Sequence, residues 1–370
     1  MNSTIQTTPI QANSTCAATA RRTPLDMSDT AGYAPSMRRL LLAMAASAVI
    51  ILAADYPGTE WAPHSRAGWS ESLLKATHEY MTGKKTAAVM IVQSGKVVDQ
   101  WGDVARKIPP RSVRKSFLNA LYGIHVAEGR IDLGKTLAEL GIDDNAPTLS
   151  AIEKQATILD LLRARSGVYH LVARETPGMK AARPRRGSHL PGDYYYYNNW
   201  DFNVLGTIFE KLTGTNIFEE FERRIARPIG MQDFTARDGF YESSPDSIHR
   251  QYMFSVTARD MARFGYLYLR QGRWGDKQLV PAAWVARSTT PYSGPVTTNG
   301  NPFVGYGLLW WTTDWGYSAL GADGHYIAVV PSKDLVIVHR VLYDPPREDV
   351  VPYRDVDTMI RMIIAAAPAK

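Results

Sequence analysis

Ser112 and Lys115 are the residues of this 370-residue chain whose types and spacing are best suited to chemistry. In a helix, side chains three positions apart lie on one face, so the amine can reach the hydroxyl and make it nucleophilic. Ser112 follows Pro109 and Pro110 and precedes apolar residues at helical spacing, which predicts a helix start. Unpaired backbone N–H groups at such a start favour developing negative charge. Because serine is also a preferred N-cap, the spacing alone leaves a purely structural role open.

The Ser-x-x-Lys spacing occurs a second time, at Ser72 and Lys75. These residues lie inside an amphipathic pattern that includes Trp69, Leu73 and Leu74. A hydroxyl and an amine on the surface of a helix are a sufficient interpretation of that pattern. Sequence context therefore favours Ser112, rather than Ser72, as the candidate nucleophile.

Four consecutive tyrosines, Tyr194 to Tyr197, run directly into Asn198 and Asn199. Alternate residues of an extended segment point in opposite directions, so the four phenols cannot all face one core. Two frames give a Tyr-x-Asn motif, one from Tyr196 to Asn198 and the other from Tyr197 to Asn199. A phenol beside a lysine ammonium is expected to have a lowered pKa, which would suit it to accept the serine proton. An aromatic loop covering the next helix is the structural alternative.

A glycine-rich segment near the carboxyl end is the third candidate. It comes just before an apolar run typical of a strand and reads Ala319-Leu320-Gly321-Ala322-Asp323-Gly324-His325. Glycines beside a strand let backbone N–H groups approach a substrate closely, as an oxyanion hole requires. A simple turn between two strands would use the same glycines.

The order of these three elements resembles that of the serine hydrolases related to class C β-lactamases and penicillin-binding proteins. The likeness covers roughly residues 70 to 365. It is carried by the stretches Ser112-Val113-Arg114-Lys115-Ser116-Phe117, Leu161-Leu162-Arg163-Ala164-Arg165-Ser166-Gly167, Tyr197-Asn198-Asn199, Asn203-Val204-Leu205-Gly206 and Arg259-Asp260-Met261-Ala262-Arg263-Phe264-Gly265. The resemblance implies a β-lactamase/transpeptidase-like fold and acyl-enzyme chemistry.

The resemblance also implies a role for each candidate catalytic residue. Ser112 is the nucleophile, and Lys115 and Tyr197 form the base system. Asn199 positions the substrate, so the second of the two tyrosine frames is selected. One oxyanion donor is the amide of Ser112, and the other is a strand amide near Ala322.

On the strand side, the resemblance places Gly321 and Ala322 among the substrate-binding residues. His325, like His170, is a further candidate for the lining of the pocket, with a structural role as the alternative. The chain departs from the family at Ala319, where true β-lactamases have lysine and relatives often have histidine. Without that cation, nothing obvious pairs with the carboxylate of a β-lactam. The Ala-x-Gly-x-x-Gly form is similar to that of the esterases and nylon-oligomer amide hydrolases. A second departure is Ala164-Arg165-Ser166-Gly167, where the family has a His-Thr-Ser-Gly-like segment.

Apolar periodicity and turn residues predict the elements that position these side chains. Helices are expected over 69–82, 112–128, 157–165, 202–212, 217–225, 258–270, 281–288 and 356–365, and strands over 87–92, 96–101, 305–311, 326–330 and 335–341. Strands at both chain ends around a helical middle predict an α/β (α+β) fold. In it, one antiparallel sheet built from both ends is flanked by helices and carries an inserted, mostly helical subdomain. The hydrolase domain is expected over 69–366.

Residues 1–54 are expected to lie outside that domain. Residues 1–36 are polar without apolar periodicity, and we interpret them as a disordered or mis-started extension. Residues 37–54 contain two arginines followed by an uncharged apolar run, a pattern typical of a signal peptide, with an uncleaved membrane anchor as the alternative. The single cysteine, Cys16, precedes this run. We therefore expect export to the periplasm or beyond, without a disulfide.

Composition and motifs argue against other functional classes. A net charge of +6 is not the footprint of a nucleic-acid-binding protein. The histidines form no metal-binding pair and no nucleotide-binding loop occurs, so neither a metal nor a cofactor is expected. The predicted function is hydrolysis of a small-molecule ester or amide through an acyl-enzyme on Ser112. The alternatives are a catalytically silent binding protein of the same fold, and a true β-lactamase or D-Ala-D-Ala peptidase.

Overall fold

A computed structural model describes residues 56–172, 175, 177–298, 301–342 and 350–368, all within the compact unit Ala53–Lys370. The strands are β1 (Thr86–Gln93), β2 (Lys96–Gly102), β3 (Gly239–Ser244), β4 (Ser247–Phe254), β5 (Arg273–Trp274), β6 (Lys277–Gln278), β7 (Val296–Thr298), β8 (Asn301–Phe303), β9 (Gly305–Tyr306), β10 (Trp311–Thr312), β11 (Tyr317–Gly321), β12 (His325–Val330) and β13 (Leu335–Val341). The α-helices are α1 (Glu71–Met81), α2 (Arg114–Ala127), α3 (Ile158–Leu162), α4 (Pro177–Ala182), α5 (Asn199–Thr213), α6 (Ile217–Phe221), α7 (Ala258–Leu269), α8 (Ala282–Ser288) and α9 (Tyr353–Ala366).

Seven strands form the main antiparallel sheet in the order β2-β1-β13-β12-β11-β10-β9. The strand β13 pairs with β1 on one side and with β12 on the other, so that Val89 and Tyr326 both lie opposite His339. Every residue of β12 and β13 is buried, which explains why the runs Tyr326–Val330 and Leu335–Val338 are continuously apolar instead of alternating. The expected sheet built from both ends of the chain is confirmed.

Helices cover this sheet and also join the two chain ends. The helix α7 packs against β13, β12 and β1 so closely that a Cβ on Gly265 would lie 2.6 Å from Ile327 Cγ2. The first and last helices, α1 and α9, pack against each other, and the Ser70 amide donates to the Ala366 carbonyl at 2.9 Å. The first and last parts of the described chain are therefore held together in both helices and strands.

Between β2 and β9 the chain leaves the sheet and builds the inserted, mainly helical part, which also contains three short hairpins. Within it, α2 is surrounded by α5, α6 and α8, and all its residues from Arg114 to His125 are buried. Its inward polar groups are paired, since Asn119 donates to the Leu308 carbonyl at 2.8 Å and accepts from the Tyr268 hydroxyl at 2.6 Å. This burial holds the helix that carries Lys115 in a fixed position.

The expected strand over 305–311 is wrong. It divides into β9 and β10, which pair with each other across a tight turn closed by a hydrogen bond from the Gly307 amide to the Trp310 carbonyl at 2.8 Å. Leu309 turns the chain with a φ of 59°. The side chains of this turn are buried, so the apolar sequence indicated a continuous strand where the backbone reverses direction. The hairpin of β3 and β4 and the strand β11 were not expected from periodicity.

The predicted extension over 1–36 and the predicted signal peptide or anchor over 37–54 lie outside the described residues. Within the described ranges, the helices are too short or too polar to cross a lipid bilayer.

Candidate active site

Ser112 lies in a 3-10 turn, Arg111–Val113, that leads directly into α2. Its hydroxyl is not a helix cap, because Val113 occupies the N-cap position of α2 and no side chain caps that end. Instead, Ser112 Oγ lies 2.8 Å from Lys115 Nζ. The hydroxyl therefore faces the amine, as the spacing predicts, and the N-cap interpretation is not supported.

The second Ser-x-x-Lys pair is a surface feature of α1. Ser72 Oγ lies 3.1 Å from Ser70 Oγ. Lys75, with 79% of its side chain exposed, faces Glu79 at 3.8 Å, one turn further along the helix. Ser72 thus provides a matched control for Ser112.

Lys115 joins three polar side chains at the floor of the site. Its Nζ lies 2.8 Å from Ser112 Oγ, 2.6 Å from Tyr197 Oη and 2.9 Å from Asn199 Oδ1. Lys115 is 1% exposed, whereas its three partners are partly accessible. The rings of Tyr197 and Phe202 each lie 4.3 Å from Nζ. The structure therefore brings these four predicted residues together, with the amine buried and the hydroxyl open to a substrate.

Burial is the main cause of the pKa changes in this cluster. It lowers the pKa of Lys115 well below 10.5, and the positive charge of Arg114 lowers that pKa further. It raises the pKa of Tyr197 to about 12, although a hydrogen bond with Ser112 and the charge of Arg114 oppose the change. The expectation that a lysine ammonium would lower the pKa of the phenol is therefore wrong, because desolvation outweighs the attraction. Both shifts favour the neutral form of the group, the amine of Lys115 and the phenol of Tyr197.

Arg114 is a charged residue of the site that the Ser-x-x-Lys spacing does not reveal. It is 1% exposed, its Cζ lies 4.2 Å from the ring of Tyr252, and its Nη2 donates to Asn203 Oδ1 at 2.9 Å. Its Nε and Nη1 have no hydrogen-bond partner among the described residues. A buried guanidinium in such surroundings disfavours a second positive charge on its neighbour Lys115. The sequence signal for it is a second basic residue, directly before Lys115, at the start of a helix whose later residues are mostly apolar.

The start of α5 fixes which tyrosine and which asparagine face Lys115. Asn198 is the N-cap, accepts from the Trp200 amide at 3.2 Å and donates to the Val168 carbonyl at 2.6 Å, so its side chain is used for structure. The Tyr196 hydroxyl donates to the Met179 carbonyl at 2.9 Å. Tyr197 and Asn199 are left to meet Lys115, which is the frame that the family resemblance selects.

Ser166 and Asp201 connect the unexplained Ala164-Arg165-Ser166-Gly167 segment to the start of α5. Ser166 Oγ donates to Asp201 Oδ1 at 2.6 Å, and Asn198 Nδ2 donates to the same oxygen at 2.8 Å. Asp201 is fully buried, and burial raises its pKa well above 3.8. The segment therefore supports the helix that presents Tyr197 and Asn199.

Asp201→Asn is expected to raise the thermal midpoint at pH 7 by about 1–2 °C, the effect of roughly 1 kcal/mol on a domain of about 300 residues. A carboxyl whose folded pKa lies above its unfolded value of 3.8 stabilises the fold only when protonated, so stability falls as pH rises above about 4. The amide keeps the acceptor oxygen without that cost. Thermal unfolding should show a gain at pH 7 that vanishes near pH 3. A lower midpoint at pH 7 would mean that the wild-type carboxylate is ionised and held by Ser166.

The end of β11 lies directly against the nucleophile turn. A Cβ on Gly321 would lie only 2.3 Å from the Pro110 carbonyl oxygen, so glycine is required for this approach. Gly321 is buried, whereas the next residue, Ala322, is partly exposed. This places the backbone of Ala322 beside the turn that carries Ser112, as an oxyanion hole requires.

The predicted substrate contact of His325 is not supported by its position. His325 has no exposed surface, and its Nδ1 accepts a hydrogen bond from Arg340 Nε at 3.2 Å. It lies behind the end of β11, where it pairs with Gly321 across the sheet. The contacts that the structure shows for His325 are therefore structural ones, with Arg340 and with the end of β11.

Three aromatic side chains pack around the ring of Tyr197. Ala319 is fully buried in β11. The ring centroids of Trp311 and Tyr306 lie 5.3 and 5.8 Å from that of Tyr197, and Phe202 lies 4.9 Å away. Among the described residues, these three rings give the surroundings of the Tyr197 ring an aromatic character.

Histidines in the described part of the chain have structural partners. His125 Nε2 lies 2.9 Å from Glu220 Oε1, and His249 Nε2 lies 2.9 Å from the Asp143 carbonyl. No group of three histidine, cysteine or carboxylate side chains is placed to hold a metal ion among the residues that the structure describes.

The antiparallel sheet, the inserted helical part and the Ser-Lys-Tyr cluster define a β-lactamase-related serine hydrolase. The family model described as Beta-lactamase matches residues 74–351, and the chain belongs to this family. An uncharacterised protein from Alkalihalophilus pseudofirmus is 22% identical over 285 residues, which cover 68% of this chain and 82% of that protein.

Solved structures show the same fold. A protein from Bacillus anthracis, proposed to be a 6-aminohexanoate-dimer hydrolase, aligns with a TM-score of 0.62 and 22% identity over 84% of this chain and 86% of its own. An octameric penicillin-binding protein homologue from Pyrococcus abyssi aligns with a TM-score of 0.59 and 17% identity, covering 80% of this chain and 77% of its own. At these identities the likeness establishes the fold alone.

Proposed function

We propose that this protein hydrolyses small esters or amides through an acyl-enzyme formed on Ser112. The observation that carries the proposal is the contact of the buried Lys115 Nζ with both Ser112 Oγ and Tyr197 Oη. A catalytically silent binding protein of the same fold would have no need for a desolvated amine held against an accessible hydroxyl.

In the acylation step, Ser112 Oγ attacks the carbonyl carbon of the substrate while its proton moves to the neutral amine of Lys115. The amides of Ser112 and Ala322 stabilise the resulting oxyanion. The bond to the leaving group then breaks, and the leaving oxygen or nitrogen takes a proton from Lys115 through the Tyr197 hydroxyl. Asn199 Oδ1 accepts from Nζ and keeps the amine aimed at Ser112.

In the deacylation step, a water molecule attacks the acyl carbon and gives its proton to Lys115. The ester bond to Ser112 Oγ then breaks, the carboxylic acid leaves, and the serine recovers its proton from the ammonium. Enzyme and base return to their starting states, so the cycle needs no cofactor.

The substrate class follows from the wall around Tyr197. The aromatic rings beside Tyr197, together with an alanine instead of a cation at position 319, favour an acyl group without a carboxylate next to the scissile bond. The designation of the Bacillus anthracis neighbour as a proposed 6-aminohexanoate-dimer hydrolase supports the choice of an amide bond as a substrate, whereas a β-lactam would require a cation to pair with its carboxylate. We also propose that residues 37–54 direct export, which N-terminal sequencing of the natural protein would test.

Intact-mass spectrometry after incubation with activated esters, activated amides and β-lactams tests the proposal directly. We expect an acyl adduct of one equivalent with neutral esters and amides, transient in the wild type because water releases it. Nitrocefin turnover at a rate equal to the ester turnover would instead support a true β-lactamase. The absence of any adduct across the whole panel would support the silent binding protein.

A further inference from the structure

Two residues with left-handed backbones flank the candidate oxyanion hole. Arg111, with a φ of 56°, directly precedes Ser112, and Asp323, with a φ of 70°, directly follows Ala322. Residues other than glycine occupy this region at a cost and remain there only when the surrounding structure holds them. The backbone on both sides of the site therefore needs an external restraint.

An ion pair joins these two strained residues to each other. Arg111 Nε donates to Asp323 Oδ2 at 3.1 Å, and their side chains are only 20% and 9% exposed. Partial burial limits screening by solvent, so the attraction is stronger than that of a surface pair. The ion pair lies where the end of β11 packs against the Ser112 turn. There the two backbones are so close that a Cβ on Gly321 would lie 3.1 Å from Arg111 Cβ.

We infer that the Arg111–Asp323 ion pair is a positioning device that sets the separation and direction of the Ser112 and Ala322 amides. The conformation of Arg111 determines the direction of the following amide, that of Ser112. Through this ion pair, Asp323 holds the segment after Ala322 against the turn that carries Ser112. The Asp323 carbonyl also accepts a hydrogen bond from the Val351 amide at 3.1 Å. The inference rests on the proposed hydrolytic function, since it concerns how the oxyanion is held.

Asp323→Asn is the variant that tests the pair, because asparagine tolerates a left-handed backbone and keeps the shape of the side chain. The matched control is Asp334→Asn. Asp334 also has a left-handed backbone, with a φ of 53°, and pairs with Arg270 at 2.6 Å with a similar exposure. It lies beyond the opposite end of β12 from the site.

With a neutral p-nitrophenyl ester, we expect Asp323→Asn to lower kcat by about 10- to 100-fold and to leave KM within about threefold, because the lost geometry serves the transition state. The control should retain kcat within about twofold, even if both variants lose a similar amount of thermal stability. Exchanging the charges, Arg111→Glu with Asp323→Arg, should recover part of the kcat lost in Asp323→Arg alone.

Hydrogen exchange provides a readout that does not depend on turnover. We expect faster exchange over residues 319–325 in Asp323→Asn and no such change there in Asp334→Asn. Unchanged kcat and unchanged exchange in Asp323→Asn would overturn the inference, as would a loss confined to KM for carboxylate-bearing substrates, which would make Arg111 a substrate-binding cation. If the wild type shows no ester turnover, the proposed function fails, while the exchange comparison still decides whether the pair holds the strand end.

Discussion

Ser112→Ala is expected to lower ester turnover by at least about 10⁴-fold and to abolish labelling by a fluorophosphonate. The reason is geometric, since Ser112 Oγ is the accessible hydroxyl that lies 2.8 Å from the buried amine of Lys115. Without that oxygen, the amine has no proton to remove and no acyl-enzyme can form. Initial rates with a p-nitrophenyl ester, together with intact mass after labelling, measure both effects.

Ser72→Ala is the control for this experiment, because Ser72 has the same sequence spacing to a lysine but lies on the surface of α1. It should retain turnover within about twofold and full labelling, as is usual for a surface substitution. Equal loss in the two variants, or labelling that persists in Ser112→Ala, would contradict the assignment of the nucleophile.

Lys115→Met is expected to lower kcat/KM by about 10²- to 10⁴-fold, the usual contribution of a general base. In the wild type the active form of Lys115 is the neutral amine, so kcat/KM should rise with pH through the pKa of this residue. Burial and Arg114 lower that pKa, which puts the rise well below pH 10.5. Activity should persist up to alkaline pH, because the pKa of Tyr197 is raised to about 12.

Arg114→Met tests the electrostatic part of this prediction. Removing the positive charge makes protonation of Lys115 easier, so the rise of kcat/KM should move to higher pH. At pH 6 the variant should lose about tenfold in kcat/KM, which corresponds to a charge–charge energy of ~1.4 kcal/mol. Arg263→Met is a suitable control, because Arg263 is equally buried but binds the carbonyls of Ile229, Gly58 and Thr59.

The profile of kcat/KM against pH separates the two arginines. The Arg263 variant is expected to lose stability without moving the profile. A profile that stays in place in Arg114→Met would show that desolvation alone sets the charge of Lys115. If kcat/KM still rises with pH in Lys115→Met, the general base is a group other than Lys115.

Local spacing singled out Ser112 and Lys115, because these two residues lie within one helical turn. The choice of Tyr197 and Asn199 over the other tyrosine frame came from the family resemblance, and the structure brings all four side chains together. Spacing in the sequence could not predict the protonation states of Lys115 and Tyr197. Whether an ammonium lowers the pKa of Tyr197 or burial raises it depends on how much water the fold removes, which spacing does not encode. The correction for Tyr197 is therefore a consequence of tertiary packing.

Contacts between distant segments of the chain account for the other differences between the sequence-based predictions and the structure. Arg111 and Asp323 meet only because β11 ends against the nucleophile turn, and the sequence carries no signal that links them. The buried position of His325 depends on the register of β12, in which its side chain faces inward. The prediction of a strand over 305–311 is wrong because a buried turn has the same apolar composition as a buried strand.

The sheet in which β1 pairs with β13 has a consequence for synthesis on the ribosome. Val89 finds its partner His339 only after nearly the whole chain has been translated. At about 5–20 residues per second, the nascent hairpin of β1 and β2 waits on the order of tens of seconds with one edge unpaired. During that interval the unpaired edge of β1 can pair with strands of other chains. We therefore expect the nascent chain to depend on chaperones that cover such edges.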